Sequence, residues 1–195
     1  MNKYLKIALW IIGLAVFAKS CLYLHYTHLS DDELAWVKCS RTYPRTSFYS
    51  ADGDKATMEY LNTEIYNSFP IFSDLWGSSY YDAQANYSFN IAINSSKMNG
   101  YFSIHKIADS EPLYVYSSLD RLRYRQGLSP QAFEMNGFEF KDCIIANLSN
   151  SDYKYRESDT NHVVKFVISK RYGLIYFRLR DGREFSRRFR QKTQS

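Results

Sequence analysis

The stretch Gln131-Ala-Phe-Glu-Met-Asn-Gly-Phe-Glu-Phe140 decides the fold class, because its turn residues and its hydrophobic pattern predict the same β-hairpin. Asn136-Gly137 is a preferred type I′ turn pair, since both residue types tolerate positive φ. That register brings four apolar side chains to one face, with Met135 opposite Phe138 and Phe133 opposite Phe140. The stretch therefore predicts two antiparallel strands with one buried side.

Two other turns, Ala51-Asp-Gly53 and Arg180-Asp-Gly182, predict hairpins with three-residue loops. A loop of this length buries more apolar surface than the two-residue alternative. It brings apolar residues together across each hairpin: Phe48 opposite Ala56, and Phe177 opposite Phe185. In the last hairpin, Tyr176 is expected to face outward.

Successive hairpins without strand–helix alternation indicate an all-β domain of antiparallel strands. About ten strands of this kind favour a barrel or a sandwich, because closure protects strand edges. One short helix is expected before the strands, from about Asp31 to Lys38. Ser30 can cap this helix, and Glu33 stands at capping-box spacing from it.

A hydrophobic helix is also expected at the N-terminus, where Tyr4 to Leu24 is apolar and two lysines precede most of it. Three interpretations are open: a cleaved signal peptide, a lipoprotein signal acylated at Cys21, or an uncleaved membrane anchor. Lys19 fits the lipoprotein pattern badly, and in an anchor it would lie near the outer end. We assign residues 1–26 to this segment and 27–195 to a single β-rich extracytoplasmic domain.

The composition is that of a globular chain with unusually many aromatic residues, 18 Tyr and 13 Phe among 195 residues. Aromatic residues favour strands and surfaces that are half apolar and half wet. The net charge is +5, and Arg178, Arg187 and Arg188 belong to a basic C-terminal region. A solvated strand face with a frayed terminus is favoured there over a nucleic-acid site, because export separates the chain from nucleic acid.

Few residues suggest chemistry. Cys39 and Cys143 could form a disulfide outside the cytoplasm, or could be two small buried residues. His25 and His28 share a spacing that some metal sites use, but two ligands do not close a site. The sequence has no nucleophile elbow and no Gly-rich phosphate loop. We therefore expect no catalytic residue, metal or cofactor, and an unrecognised hydrolase ranks third among the functions considered.

One long segment, from Ser68 to Asp82, is apolar without a clean period. Such a loop either packs as a lid or is exposed for binding. Its six large side chains form the candidate ligand or partner loop: Phe69, Phe72, Leu75, Trp76, Tyr80 and Tyr81.

Two segments of the chain resemble a known group of proteins. They are Asp31-Asp-Glu-Leu-Ala-Trp36, followed by an Asp-Gly hairpin, and Tyr172-Gly-Leu-Ile-Tyr-Phe-Arg-Leu-Arg-Asp-Gly-Arg-Glu-Phe185. They resemble small exported β proteins of Gram-negative bacteria, many of which are lipid-anchored and uncharacterised. The resemblance covers the two ends of the domain and implies a β fold and export, with no catalytic residues.

These observations predict a protein held at the membrane by its N-terminal segment, with its domain on the extracytoplasmic side of the cell envelope. The expected function is that of a non-catalytic interaction or accessory protein, because tyrosine and arginine are favoured at interfaces. The alternative is a module that binds a lipid or other apolar ligand in a barrel cavity under the Phe69–Tyr81 loop.

Overall fold

The computed structural model describes residues 3–22, 25–67, 80–152 and 162–189. Within these residues the N-terminal part forms α1 (Lys3–Leu22), β1 (His25–Tyr26), α2 (Asp31–Thr42), β2 (Arg45–Tyr49), β3 (Lys55–Tyr66) and β4 (Tyr80–Tyr81). The chain continues through β5 (Ala83–Ile93), β6 (Ser96–Lys106), β7 (Tyr114–Leu119), β8 (Leu122–Gly127) and β9 (Gln131–Met135). It then forms β10 (Phe138–Asn147), β11 (Val163–Ser169), β12 (Gly173–Leu179) and β13 (Glu184–Arg187).

Eleven of the described strands form one antiparallel sheet, which curves into a half-barrel. Its order is β8-β7-β6-β5-β3-β2-β13-β12-β11-β10-β9, so β13 joins two meanders by pairing with β2. We call β3 and β5–β8 the N-terminal half of the sheet, and β9–β13 the C-terminal half. The prediction of an all-β, antiparallel, barrel-like fold is confirmed at this level.

The three predicted hairpin registers are confirmed. Asn136 and Gly137 both have positive φ, 54° and 76°, as a type I′ turn requires. Gly53 and Gly182 are left-handed at φ 90° and 94°. The opposed pairs are Met135 with Phe138, Phe133 with Phe140, Phe48 with Ala56, and Phe177 with Phe185.

Helix α2 begins where the sequence predicts and ends four residues later than expected. The Ser30 hydroxyl accepts from the Glu33 amide, and the Glu33 carboxylate accepts from the Ser30 amide at 2.7 Å, which completes a capping box. The helix ends only at Thr42, two residues before Pro44, because the extra turn places Cys39 and Ser40 against the sheet.

The main core lies between α2 and the concave inner face of the sheet. Trp36 is buried there, and its ring stacks on Phe102 at 6.0 Å between centroids. Burying each such side chain contributes roughly 1.5–3 kcal/mol. The largest fully buried side chains fill the inner face across both halves of the sheet: Trp36, Tyr87, Phe48, Phe89, Phe102, Phe166, Phe177 and Phe185.

The C-terminal half also buries its outer face. Tyr176 faces outward as expected, but it is only 7% exposed, because other apolar side chains cover it on that face. The register of β11 and β12 shifts between Val167 and Ile168. At this shift the neighbouring residues Leu174 and Ile175 of β12 pack in different hydrophobic clusters, so both have apolar partners. The resulting second hydrophobic cluster contains Met135, Phe140, Cys143, Val167, Ile175 and Tyr176.

Helix α1 covers the N-terminal segment, for which an uncleaved spanning anchor was one of three interpretations. Lys3, Lys6 and Lys19 interrupt its apolar sequence. No helix among the described residues is long and apolar enough to cross a membrane.

Candidate interaction surface

The second hydrophobic cluster continues outward into an exposed and half-buried surface rich in aromatic rings and guanidinium groups. We call it the aromatic–arginine surface, and define it by Tyr43, Tyr49, Phe138, Tyr172, Arg187, Arg188 and Phe189. It exists because β13 pairs with β2, which brings Arg187 and Arg188 beside Tyr43, just before β2, and Tyr49, the last residue of β2.

The two arginines of this surface lie over tyrosine rings. The guanidinium carbon of Arg187 is 4.2 Å from the Tyr43 ring centroid, and that of Arg188 is 4.1 Å from the Tyr49 centroid. Arg187 also donates to the backbone carbonyl of Tyr172 at 3.0 Å. Burial lowers the pKa of Arg187 from its ordinary value, but an arginine keeps its proton even so.

No carboxylate among the described residues lies within ion-pair distance of Arg187 or Arg188. Among the described residues, ring faces and one carbonyl dipole contact these guanidinium groups, so the two groups carry local positive potential. A surface of this kind favours a negatively charged partner.

Phe138 and Phe189 form a ridge between two surface depressions. Their ring centroids are 5.9 Å apart, and Phe189 also lies 5.0 Å from both Phe140 and Tyr172. One depression, of about 610 Å³, lies between α2 and the start of β10. Its lining is of mixed charge, with four basic residues, Lys38, Lys141, Lys170 and Arg171, and three acidic ones, Asp32, Glu139 and Asp142. The other, of about 620 Å³, lies between the β2–β3 turn and the β9–β10 hairpin. A ridge between two hollows offers an aromatic anchor and space for a partner's own side chains.

Part of the candidate ligand loop lies outside the described residues, namely Phe69, Phe72, Leu75 and Trp76. Tyr80 and Tyr81 form β4, whose backbone pairs in parallel with β1. Cys21, the candidate lipid attachment residue, lies in the last turn of α1.

Cys39 and Cys143 are both buried and free, and not the disulfide that the sequence allowed. They lie in different hydrophobic clusters, Cys39 in the main core and Cys143 in the second cluster. Burial raises the pKa of the Cys39 thiol and raises the pKa of the Cys143 thiol to about 12. Neither cysteine is therefore a ready nucleophile.

Sequence reasoning missed a buried histidine, His162, which pairs with Asp120. His162 Nδ1 lies 2.9 Å from Asp120 Oδ2, while its Nε2 lies 3.2 Å from a guanidinium nitrogen of Arg121. Because Nε2 can only accept from a guanidinium, Nδ1 carries the proton and donates to the carboxylate. The pair joins the β7–β8 turn to the residue before β11, so it links the two halves of the sheet. Residues 42 apart meet here, and no local pattern signals such a contact.

No group of three or more metal-ligating side chains occurs in the part of the chain that the structure describes. No known protein family, curated protein or solved structure matches this chain.

Proposed function

We propose that this protein is a non-catalytic interaction or accessory protein of the cell envelope, which binds a partner protein through the aromatic–arginine surface. One observation carries the proposal: Arg187 and Arg188 lie on tyrosine rings beside the Phe138–Phe189 ridge, without a carboxylate partner among the described residues. Tyrosine, phenylalanine and arginine are enriched where protein interfaces have their largest binding energies.

The chemistry of the surface indicates the partner. A guanidinium over a ring face can still present N–H groups to a carboxylate; Arg188 is exposed, whereas Arg187 already donates one N–H to the Tyr172 carbonyl. The partner segment should therefore carry acidic residues next to apolar ones, with the apolar side chains in the two depressions.

The N-terminal segment supports the proposed location. Helix α1 leaves large apolar side chains exposed, among them Tyr4 and Trp10, each 78% exposed. We propose that this segment directs the chain to the membrane, with residues 27–195 on the extracytoplasmic side. Binding a lipid inside the half-barrel is not proposed as a second function, because aromatic side chains fill its inner face.

The test is site-specific cross-linking in native membranes of the producing cell. Photo-reactive benzoylphenylalanine at position 189 should give a discrete adduct of higher mass. The same group at Leu61, an exposed apolar position on β3, should give none. Adducts of equal yield at both positions, or only monomer at position 189, would contradict the proposal.

A charge reversal identifies the acidic nature of the partner. Arg188→Glu should reduce the position-189 adduct about tenfold, since it replaces an attractive charge by a repulsive one. Arg123→Glu, at an exposed position of the edge strand β8, is the matched control and should leave the yield unchanged. An adduct insensitive to Arg188→Glu would mean that the arginine does not contact the partner.

A further inference from the structure

The outer face of the N-terminal half carries a groove that is chemically unlike the aromatic–arginine surface. The groove has a volume of about 680 Å³ and lies over β5–β8. That volume is within the roughly 300–1,000 Å³ of ligand pockets. Seven of its lining residues are polar or aromatic, among them Gln84, Ser103 and Arg125, and two are aliphatic, Ile107 and Val115.

The strand register builds the groove from rows that cross the sheet. One row runs from Asn86 through Ser103 and Tyr116 to Arg125. The next rows place Tyr101 beside Ser118 and Arg123, and His105 beside Tyr114. Because paired residues of neighbouring strands lie on the same face, hydrogen-bonding groups and tyrosine rings alternate over this surface.

The floor of the groove is polar and organised. The Gln84 amide donates to the Ser103 hydroxyl at 3.2 Å, and His105 lies 3.0 Å from the Asp82 carboxylate. Ser103 is 5% exposed although it lies on the outer face. An aliphatic ligand would strip water from these groups without replacing its hydrogen bonds, which disfavours a lipid chain.

The walls are tyrosine rings. The centroids of Tyr101 and Tyr116 are 5.7 Å apart with an angle of 55° between the rings, and Tyr114 is 41% exposed. A tyrosine presents an apolar face next to a hydroxyl group. A sugar ring has the matching pair of surfaces, since its C–H groups form an apolar face and its hydroxyls both donate and accept. Amide and hydroxyl groups on the floor suit such hydroxyls, because they also donate and accept.

The β8 side of the groove is positively charged. Arg123 and Arg125 are exposed, and no carboxylate among the described residues lies within ion-pair distance of either. The acidic groups Glu64 and Asp82 lie toward β3 and the start of β5. The charge is therefore polarised across the face, and a ligand's carboxylate would lie at Arg125.

We propose that this groove binds an acidic oligosaccharide, with sugar rings on Tyr101, Tyr114 and Tyr116 and a carboxylate on Arg125. This site lies on the opposite half of the sheet from the aromatic–arginine surface and does not rest on the function proposed above. A single-stranded nucleic acid would also stack on tyrosines, but it needs a continuous basic track. Arg123 and Arg125 beside the groove, with Glu64 and Asp82 on its opposite side, do not form such a track.

Calorimetric titration of the full chain in detergent tests the proposal. The probes are hexasaccharides of galacturonate, mannuronate and hyaluronan, with methyl-esterified hexagalacturonate and a dodecamer of deoxythymidylate for comparison. At least one acidic hexasaccharide should bind, more weakly as salt rises. For a galacturonate ligand, the neutral ester should bind about tenfold more weakly. Binding by none of the acidic sugars, or tighter binding of the oligonucleotide, would overturn the proposal.

Variants locate the site. Arg125→Gln should weaken the bound sugar about tenfold, and Tyr114→Ala about threefold to tenfold, each with an unchanged unfolding midpoint. Arg45→Gln removes an exposed arginine on β2, a strand that does not line the groove, and should change nothing. Equal losses from Arg125→Gln and Arg45→Gln would show non-specific charge attraction and would overturn the assigned site.

Discussion

The two halves of the sheet share one inner face but differ on their outer faces. In the N-terminal half, residues alternate between core and water: Phe102 is fully buried, while its neighbour Tyr101 lines the groove. In the C-terminal half the alternation fails, since Leu174 and Ile175 are adjacent on β12 and both are fully buried. They contact different clusters, Leu174 the main core and Ile175 the second cluster.

This difference shows how one sheet supports two kinds of surface. A half with one buried face can present polar groups and tyrosines, because α2 and the inner face supply its core. A half buried on both faces gains extra apolar contacts. Its exposed aromatic and arginine side chains lie at the margin of the second cluster, in the aromatic–arginine surface. We therefore expect a small-molecule groove on the first half and a protein-binding ridge on the second.

The largest expected effect comes from breaking the shared inner face. Phe102→Ala removes a ring that lies 5.1 Å from Tyr87 and 6.0 Å from Trp36 by centroid distance. It should lower the free energy of unfolding by about 3–5 kcal/mol, through lost burial and the cavity left behind. Urea unfolding followed by tryptophan fluorescence measures it. Phe102→Leu is the control and should cost less than half as much; a loss under about 1 kcal/mol for alanine would contradict tight packing.

The next effect tests whether the outer face of the C-terminal half is a true core. Ile175→Ala should cost about 2–4 kcal/mol in the same assay, because Ile175 is fully buried in the second cluster. The matched variant Ser118→Ala lies on the outer face of the other half and should change stability by less than about 0.5 kcal/mol. Similar values for the two variants would remove the distinction between the outer faces.

A thiol in the C-terminal half, that of Cys143, should make the free energy of unfolding depend on pH. Burial, and then the charge of Asp142, raise the pKa of Cys143 from 9.0 to about 12 in the folded chain. The unfolded thiol ionises from about pH 9, while the folded thiol stays protonated. Its contribution is therefore fully present below pH 9 and is lost as pH rises toward 12.

Cys143→Ala should reduce this alkaline loss of stability by at most about 1.4 kcal/mol per pH unit, less any solvent screening. Urea unfolding between pH 8 and 11, in the presence of a reductant, measures the slope. Val167→Ala shortens a neighbour in the same cluster without removing a thiol, and should keep the wild-type slope. Identical slopes for wild type and Cys143→Ala would contradict the raised pKa.

The smallest expected effect is on the groove. Tyr114→Ala should alter the free energy of unfolding by less than about 0.5 kcal/mol, because this side chain is 41% exposed. Its neighbour Val115 is 1% exposed and faces the core, so Val115→Ala should cost about 1–3 kcal/mol. A destabilisation by Tyr114→Ala as large as that of Val115→Ala would mean that the groove tyrosines serve packing.

The local parts of this fold could be predicted from the sequence, and the long-range parts could not. Asn136-Gly137, Gly53 and Gly182 fix their hairpin registers, because the turn geometry and the apolar pattern agree. Tyr176 faces outward as the hairpin pattern predicts, but its burial could not be predicted, because the second cluster that covers it includes residues of β9 and β10.

The candidate surface was predictable only in composition. The tyrosines and arginines of the last hairpin indicate an interface, whereas the charge pattern of the basic C-terminal region favours a solvated strand face. Only the pairing of β13 with β2 places Arg187 on Tyr43 and Arg188 on Tyr49. Likewise, Arg125 and Tyr116 become neighbours only through the β7–β8 register.

The position of β13 between β2 and β12 has a consequence for biosynthesis. Each meander consists of neighbouring hairpins, which can form as the chain emerges from the ribosome. The pairing of β13 with β2, which joins the two meanders, requires Ser186 to pair with Tyr49, and most of the sequence lies between these residues. Until then β2 has an open edge, which is a template for pairing with another molecule. The completed sheet is thus a late event in synthesis, and a chain truncated before β13 would expose that edge to aggregation.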